Sequence, residues 1–163
     1  LLHPFPGVTS SICQLRPESR GTIMVKSGNP RDYPSIKPNY LSTEGDRRTI
    51  IDGMKLSRKI SQSPAFRKHL KAEYEPGLDR ADDDGLLAYA REKGGTIFHP
   101  TSTCRMGSDP KAVVDARLRV HGIAGLRVAD CAIMPTVVSG NTNAPAMMIG
   151  EKASAMILED NRG

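Results

Sequence analysis

Two stretches of this 163-residue chain combine side chains and backbone suited to chemistry. The first is Phe98-His99-Pro100-Thr101-Ser102-Thr103-Cys104-Arg105-Met106-Gly107. The second is Arg127-Val128-Ala129-Asp130-Cys131-Ala132-Ile133-Met134-Pro135, followed by Ser139-Gly140-Asn141-Thr142-Asn143-Ala144-Pro145. Each sets small and polar residues between apolar segments, where backbone can approach a ligand closely. His99 leads the candidates, because an imidazole changes its charge near neutral pH and can carry a proton. Asn141 comes second. A neutral amide is no base, so its work would be hydrogen bonding where charge develops. Plainer readings stand beside both: a loop histidine bonded only locally, and an asparagine serving a Gly140-Asn141 turn. Asp130 could do no more than stabilise its own turn. Cys104 and Cys131 read as small buried residues, Arg105 as a bridging or solvated arginine, and Met147-Met148 as helix packing. His3, His69 and His121 lack a supporting context.

Several elements must hold these stretches in place. Residues 8–15 and 21–26 read as short strands, with Pro17 to Gly21 supplying the turn of a hairpin. Residues 36–40 read as another extended piece. A helix should begin near Thr43, which has capping-box spacing to Asp46, and carry Ile50, Ile51, Met54 and Ile60. A second is expected over 64–74, with Ser63 as N-cap and Pro64 at the first helical position. The third, 82–93, has Asp82, Asp83 and Asp84 at its positive end and Arg91 and Lys93 at its negative end; Gly94-Gly95 follows. After a loop over 96–108, Leu118 and Val120 alternate as one strand, and Leu126 and Val128 as another. Asn143 should cap a last helix of about 144–159, whose first turn tolerates Pro145. No internal repeat is visible.

Composition narrows the field. No apolar run approaches the ~18 residues that a membrane-spanning helix requires. The net charge of +5 is dispersed among acids, Trp is absent, and four Tyr and three Phe are the only aromatics. A nucleic-acid surface would need a basic stripe with stacking residues, so nucleic acid is excluded as a partner. Three cysteines without CxxC spacing argue against a disulfide framework and against zinc, and no metal site is expected. Odd, unpaired thiols fit a reducing compartment. The chain begins Leu-Leu-His-Pro without Met or a signal peptide, as a piece of a longer protein would.

The motif His-Pro-x-x-Thr-x-Arg-Met-Gly at 99–107, the strand Gly125-Leu126-Arg127-Val128-Ala129-Asp130 and the helix start Gly140-Asn141-Thr142-Asn143-Ala144-Pro145 carry a resemblance. In order and spacing they resemble the C-terminal part of the glucose–methanol–choline (GMC) family of flavin-dependent oxidoreductases, nearest its choline dehydrogenase and alcohol dehydrogenase branch. The match is most specific over 96–160. Residues 1–95 are more loosely similar to part of the family's substrate-binding domain.

The resemblance implies an α+β fold: part of the substrate-binding domain sheet with its helices, plus the terminal strand and helix that close the FAD-binding domain. It divides the chain at 1–108, which includes the His99 loop, and 109–163. It implies FAD as cofactor of the full-length protein, and oxidation of a small alcohol by hydride transfer to flavin. His99 would be the general base and Asn141 its partner at the substrate oxygen. The helix start at Asn141, Thr142 and Asn143 would face the negative charge of reduced flavin, and the Ala129 and Asp130 backbone its ribityl or phosphate part. The Gly-x-Gly-x-x-Gly turn that binds the dinucleotide does not occur here. The fragment alone is therefore expected to be inactive and to lack FAD, with the N-terminal FAD-binding part of the same protein as its partner, or self-association in its place. The electron acceptor stays open between oxygen, a quinone and another carrier. Two alternatives are a flavin-containing lyase of the same fold and a non-catalytic binding module. The expected location is cytoplasmic, with the periphery of the inner membrane as a second option.

Overall fold

The computed structural model describes residues 3–162. It is α+β, with two short strands, four α-helices and one turn of 3-10 helix among the described residues. The chain forms two compact units that interleave along the sequence. One holds residues up to Gln14 together with Tyr40–Gly95; the other holds Leu15–Asn39 together with the chain from Thr96 onward. No helix among the described residues is long and apolar enough to cross a membrane.

The first unit is built on helix α1, Glu44–Ser61. Thr43 is its N-cap, and the Thr43 Oγ1 accepts from the Asp46 N–H at 3.2 Å, which satisfies one of the orphan donors of the first turn. Helix α3, Asp83–Lys93, starts where its three aspartates predict, with Asp82 Oδ1 accepting from the Gly85 N–H at 2.7 Å. The two helices pack through Ile51, Met54 and Leu86, and Ile50, Leu87 and Ala90 flank that core. The second expected helix is much shorter than 64–74: α2 covers only Pro64–Arg67. Beyond it, Glu73 is bound by the Arg58 guanidinium and accepts from the Gly77 N–H. That loop geometry competes with helical bonding, and the segment offers few apolar residues to drive packing.

Residues 8–15 form no strand, so the expected hairpin with 21–26 does not exist. Within the first unit this stretch is held on α1 instead. Ile12 seats against Gly53, where an added Cβ would meet Ile12 Cγ2 at 2.5 Å. Gln14 Nε2 donates to the buried carboxylate of Asp46 at 3.3 Å. A strand needs a hydrogen-bonded neighbour, and here the neighbour is a helix.

In the second unit, β1 (Thr22–Met24) pairs antiparallel with β2 (Ser35–Lys37), Ile23 opposite Ile36. The remainder surrounds a core of Val114, Leu118, Ile133, Met134, Ile149 and Ala153. The two strands expected at 118–120 and 126–128 are reduced to single bridges, Val114 with Val120 and Arg119 with Arg127. The intended partners do meet: Val120 N–H donates to Leu126 C=O at 2.9 Å, and Val128 N–H to Leu118 C=O at 3.1 Å. Leu118, however, has φ +65°, which breaks the extended run. Helix α4, Asn143–Asp160, closes the unit with Ile149 and Ala153 buried. Its N-cap is Thr142 and not the expected Asn143. Its far end is tied down by Arg117, which donates to Met156 C=O at 3.1 Å and to Asp160 Oδ1 at 2.7 Å, and by Arg127, which also binds Asp160. Cations at a helix C-terminus offset the negative end of the dipole.

Leu86 has no exposed surface, whereas Ile60 on α1 is 55% exposed. Leu86→Ala should cost about 2–5 kcal/mol and lower the urea midpoint of this unit. Ile60→Ala should stay within about 0.5 kcal/mol of the parent. Urea unfolding followed by far-UV circular dichroism distinguishes the two.

Candidate active site

The loop that carries His99 is shaped by its backbone. Phe98 and Ser102, on either side, both have positive φ, +62° and +72°. A bulky non-glycine residue in that region is uncommon and holds only where surroundings enforce it. The Phe98 N–H is taken by Thr96 Oγ1 at 3.0 Å. Downstream, Cys104 N–H donates to Ala132 C=O at 3.0 Å, and Met106 N–H to Ile133 C=O at 2.7 Å. These bonds join the His99 loop to the 3-10 turn Cys131–Ile133, which precedes α4 in the chain. Gly107 makes the following corner possible: a Cβ there would sit 3.1–3.2 Å from Asp109, Ala112 and Arg105 atoms.

This arrangement brings residues more than forty positions apart onto one imidazole. His99 Nδ1 lies 2.8 Å from Thr142 Oγ1, and His99 Nε2 lies 3.2 Å from Asn141 Oδ1. His99 is half-buried, Asn141 is exposed and Thr142 is buried. The Thr142 and Asn141 oxygens can both accept, so an imidazolium with two N–H donors would be satisfied at both nitrogens as the ring stands. Phe98, next to the ring in sequence, is 82% exposed.

The other sequence candidates fall in less intimate places. Asn143 opens α4 and is exposed; its N–H and that of Ala144 precede the first bond of the helix, Ala146 N–H to Thr142 C=O at 2.9 Å. Pro145 has no N–H, and no acidic residue lies in this first turn. Such a helix start favours an anion. Asp130 caps the 3-10 turn, its Oδ1 accepting from the Ala132 N–H at 2.7 Å, so one oxygen of its carboxylate is occupied locally. Ala129 is exposed beside it. Among the described residues, no hydrogen bond links Ala129 or Asp130 to the His99–Asn141–Thr142 group, and no cluster of His, Cys, Asp and Glu is arranged to hold a metal ion.

Sequence reasoning missed the side chain of Thr142. The helix start implies a role for its backbone alone. A threonine hydroxyl at an N-cap ordinarily bonds its own helix, and nothing in the spacing says that this one turns to a histidine 43 positions away. The positive φ at Phe98 was equally silent, because phenylalanine gives no signal for it. Arg105 forms an ion pair with Asp109 at 2.8 Å. That hydrogen bond, helped by the Lys111 N–H, holds the Asp109 carboxyl at about 2.

The family model for GMC oxidoreductase matches residues 17–150. An alcohol dehydrogenase [acceptor] of Pseudomonas putida is 49% identical over 152 residues, 93% of this chain and 28% of that protein. An oxygen-dependent choline dehydrogenase of Pseudomonas fluorescens (strain SBW25) is 46% identical over 151 residues, 93% of this chain and 27% of that protein. Among solved structures, an FAD-dependent oxidoreductase from Chaetomium thermophilum superposes with a TM-score of 0.84 at 31% identity, covering 91% of this chain and 26% of that one. The chain belongs to the GMC oxidoreductase family, close to its choline and alcohol dehydrogenase branch, and has the α+β fold of the family's C-terminal part. It spans little more than a quarter of the length of these relatives.

The Asp109 carboxyl sits below its unfolded value, so its pairing with Arg105 supports the turn above about pH 4 and is lost as pH falls through about 2. The Lys111 amide, which donates to Asp109 Oδ1 at 3.0 Å, should lose protection from hydrogen exchange across that window. In Asp109→Asn the acid-dependent part of the loss should disappear.

Proposed function

We propose that the full-length protein oxidises an alcohol to an aldehyde or ketone with FAD, and that these residues supply its proton-handling side. The observation that carries this reading is the His99 imidazole held beside the exposed Asn141 amide, with Nε2 and Oδ1 3.2 Å apart. The names of the relatives, an alcohol dehydrogenase and choline dehydrogenases, support the substrate class.

The donor set fits a flavin. The N–H groups of Asn143 and Ala144 open α4 with no carboxylate in the first turn, next in sequence to Asn141 and Thr142. They would hold the negative edge of the ring system, while the backbone of Ala129 and Asp130 would lie along the rest of the cofactor. When bound, FAD supplies the acceptor for the hydride that leaves the carbinol carbon. His99 Nε2 takes the hydroxyl proton. Asn141 hydrogen-bonds the same oxygen as charge grows on it.

Met147, Met148 and Leu158 leave α4 with apolar residues that are each more than half exposed. The remaining part of the protein, or a second copy of this chain, would cover them.

Two measurements test the proposal. In the full-length protein, His99→Ala should slow anaerobic flavin bleaching by alcohol about 10²–10⁴-fold; bleaching at the parent rate would overturn the role of His99. The 163 residues alone contain no Gly-x-Gly-x-x-Gly turn and should bind FAD weakly or not at all in a fluorescence titration, whereas tight stoichiometric binding would show that the cofactor site is complete in this chain.

A further inference from the structure

Asn141 and Thr142 are consecutive, yet they reach opposite nitrogens of the same ring. The two contacts are not equivalent. Asn141 is exposed, whereas Thr142 is 7% exposed and cannot readily exchange its ring contact for water. Thr142 is also the N-cap of α4 by backbone position, but its side chain makes no cap bond to the helix. Its hydroxyl stands 2.8 Å from His99 Nδ1 instead. The Thr142 carbonyl is pinned from the other side by the Ala146 N–H at 2.9 Å and by the Cys131 thiol at 3.6 Å, so the residue is a fixed point against which the ring rests.

We propose that Thr142 is a positioning residue: its hydroxyl is the acceptor that makes the base-competent tautomer of His99 available. The proposal rests on the reading of His99 as the base. To take a proton at Nε2, a neutral imidazole must carry its own proton on Nδ1. In that tautomer the Nδ1–H faces the Thr142 hydroxyl, which accepts, and the Asn141 amide presents its N–H rather than Oδ1 to Nε2; an N–H left without a partner against a buried residue is costly. With Thr142 accepting, the same bond serves before and after proton transfer, because Nδ1 is a donor in the neutral base and in the imidazolium alike. No rearrangement behind the ring is then needed as the proton moves. The hydroxyl can also donate to a bare Nδ1, so with it both neutral forms are satisfied; without it, the form that keeps its donor satisfied is the one with the proton on Nε2, bonded to Asn141 Oδ1. That form has no lone pair to offer at the nitrogen facing Asn141.

The test uses the full-length flavoprotein with Thr142→Val, Thr142→Ser and His99→Ala. Valine keeps the shape and removes the acceptor; serine restores it. Anaerobic flavin reduction by alcohol should fall about tenfold in Thr142→Val, the worth of one hydrogen bond, and recover in Thr142→Ser. Independently of activity, ¹⁵N-histidine NMR should show the His99 population shifting from Nδ1–H toward Nε2–H in the valine variant and returning in the serine variant. The His99 signals are identified by their loss in His99→Ala. Parent-like rate and tautomer in Thr142→Val would overturn the proposal. So would equal rate losses in the valine and serine variants with an unchanged tautomer, which is the mark of a merely structural residue. Should Thr142→Val not fold, the parent enzyme still decides: a resting His99 protonated only on Nε2 overturns the proposal, and a populated Nδ1–H form supports it. If His99→Ala reduces flavin at the parent rate, the reading of His99 as base fails, whatever Thr142 does. An inactive His99→Ala beside a fully active Thr142→Val removes only the positioning role.

Discussion

The candidate site hangs on one ring held at both nitrogens by two consecutive residues at the start of α4. An imidazole on a loop has two free torsions, and a single hydrogen bond leaves it swinging. Contacts at Nδ1 and Nε2, at 2.8 and 3.2 Å, fix the ring both in direction and in its own plane. The clamp works only if α4 begins in the right place. That position is set at a distance, by the burial of Ile149 and Ala153 in the core of the second unit and by Arg117 and Arg127 gripping the last turn of the helix. The His99 ring is thus oriented through a helix whose far end is tied down at Asp160.

The rest of the second unit serves the same constraint. The bonds from Cys104 and Met106 to Ala132 and Ile133 run the histidine loop beside the turn that leads to α4. Ile133 and Met134 anchor that turn in the core, and Asp130 caps it. Asp130 shows why the site is best understood from its neighbours: one oxygen of its carboxylate is committed to its own turn, where it accepts from the Ala132 N–H. The hydrophobic effect supplies most of the stability, and the polar bonds supply the register. The strain at Phe98 and Ser102 sits on either side of the residue that must be presented, where backbone distortion is commonly maintained by surrounding structure.

The sequence was most legible where local chemistry and tertiary demand agree. Helix α3 was readable almost to the residue, because Asp82 to Asp84, the apolar face and Gly94 all act within one turn of their own positions. Thr43 and Asp46 likewise marked the start of α1. Legibility failed where a segment's partner is remote. Residues 8–15 have the composition of a strand, but Gly53 on α1 makes room for Ile12, and Ile12 and Gln14 lie against that helix. The 118–128 region has the alternation of a hairpin and much of its hydrogen bonding, but Leu118 turns to positive φ to enter the core. Residues 64–74 read as a helix, yet Arg58 and Gly77 draw Glu73 into another geometry.

By itself the sequence determined the family, and it singled out the imidazole and the amide that the fold brings together. Each of these is a matter of residue type and spacing, written locally in the chain. Only the tertiary structure decided that Asn141 and Thr142 meet the same ring, and that the threonine hydroxyl leaves its helix to do so. A hydroxyl can bond its own backbone or a distant side chain at similar energy, and the choice depends on which acceptor or donor packing has placed within 3 Å. That placement is set by contacts across more than forty residues, which no local pattern encodes.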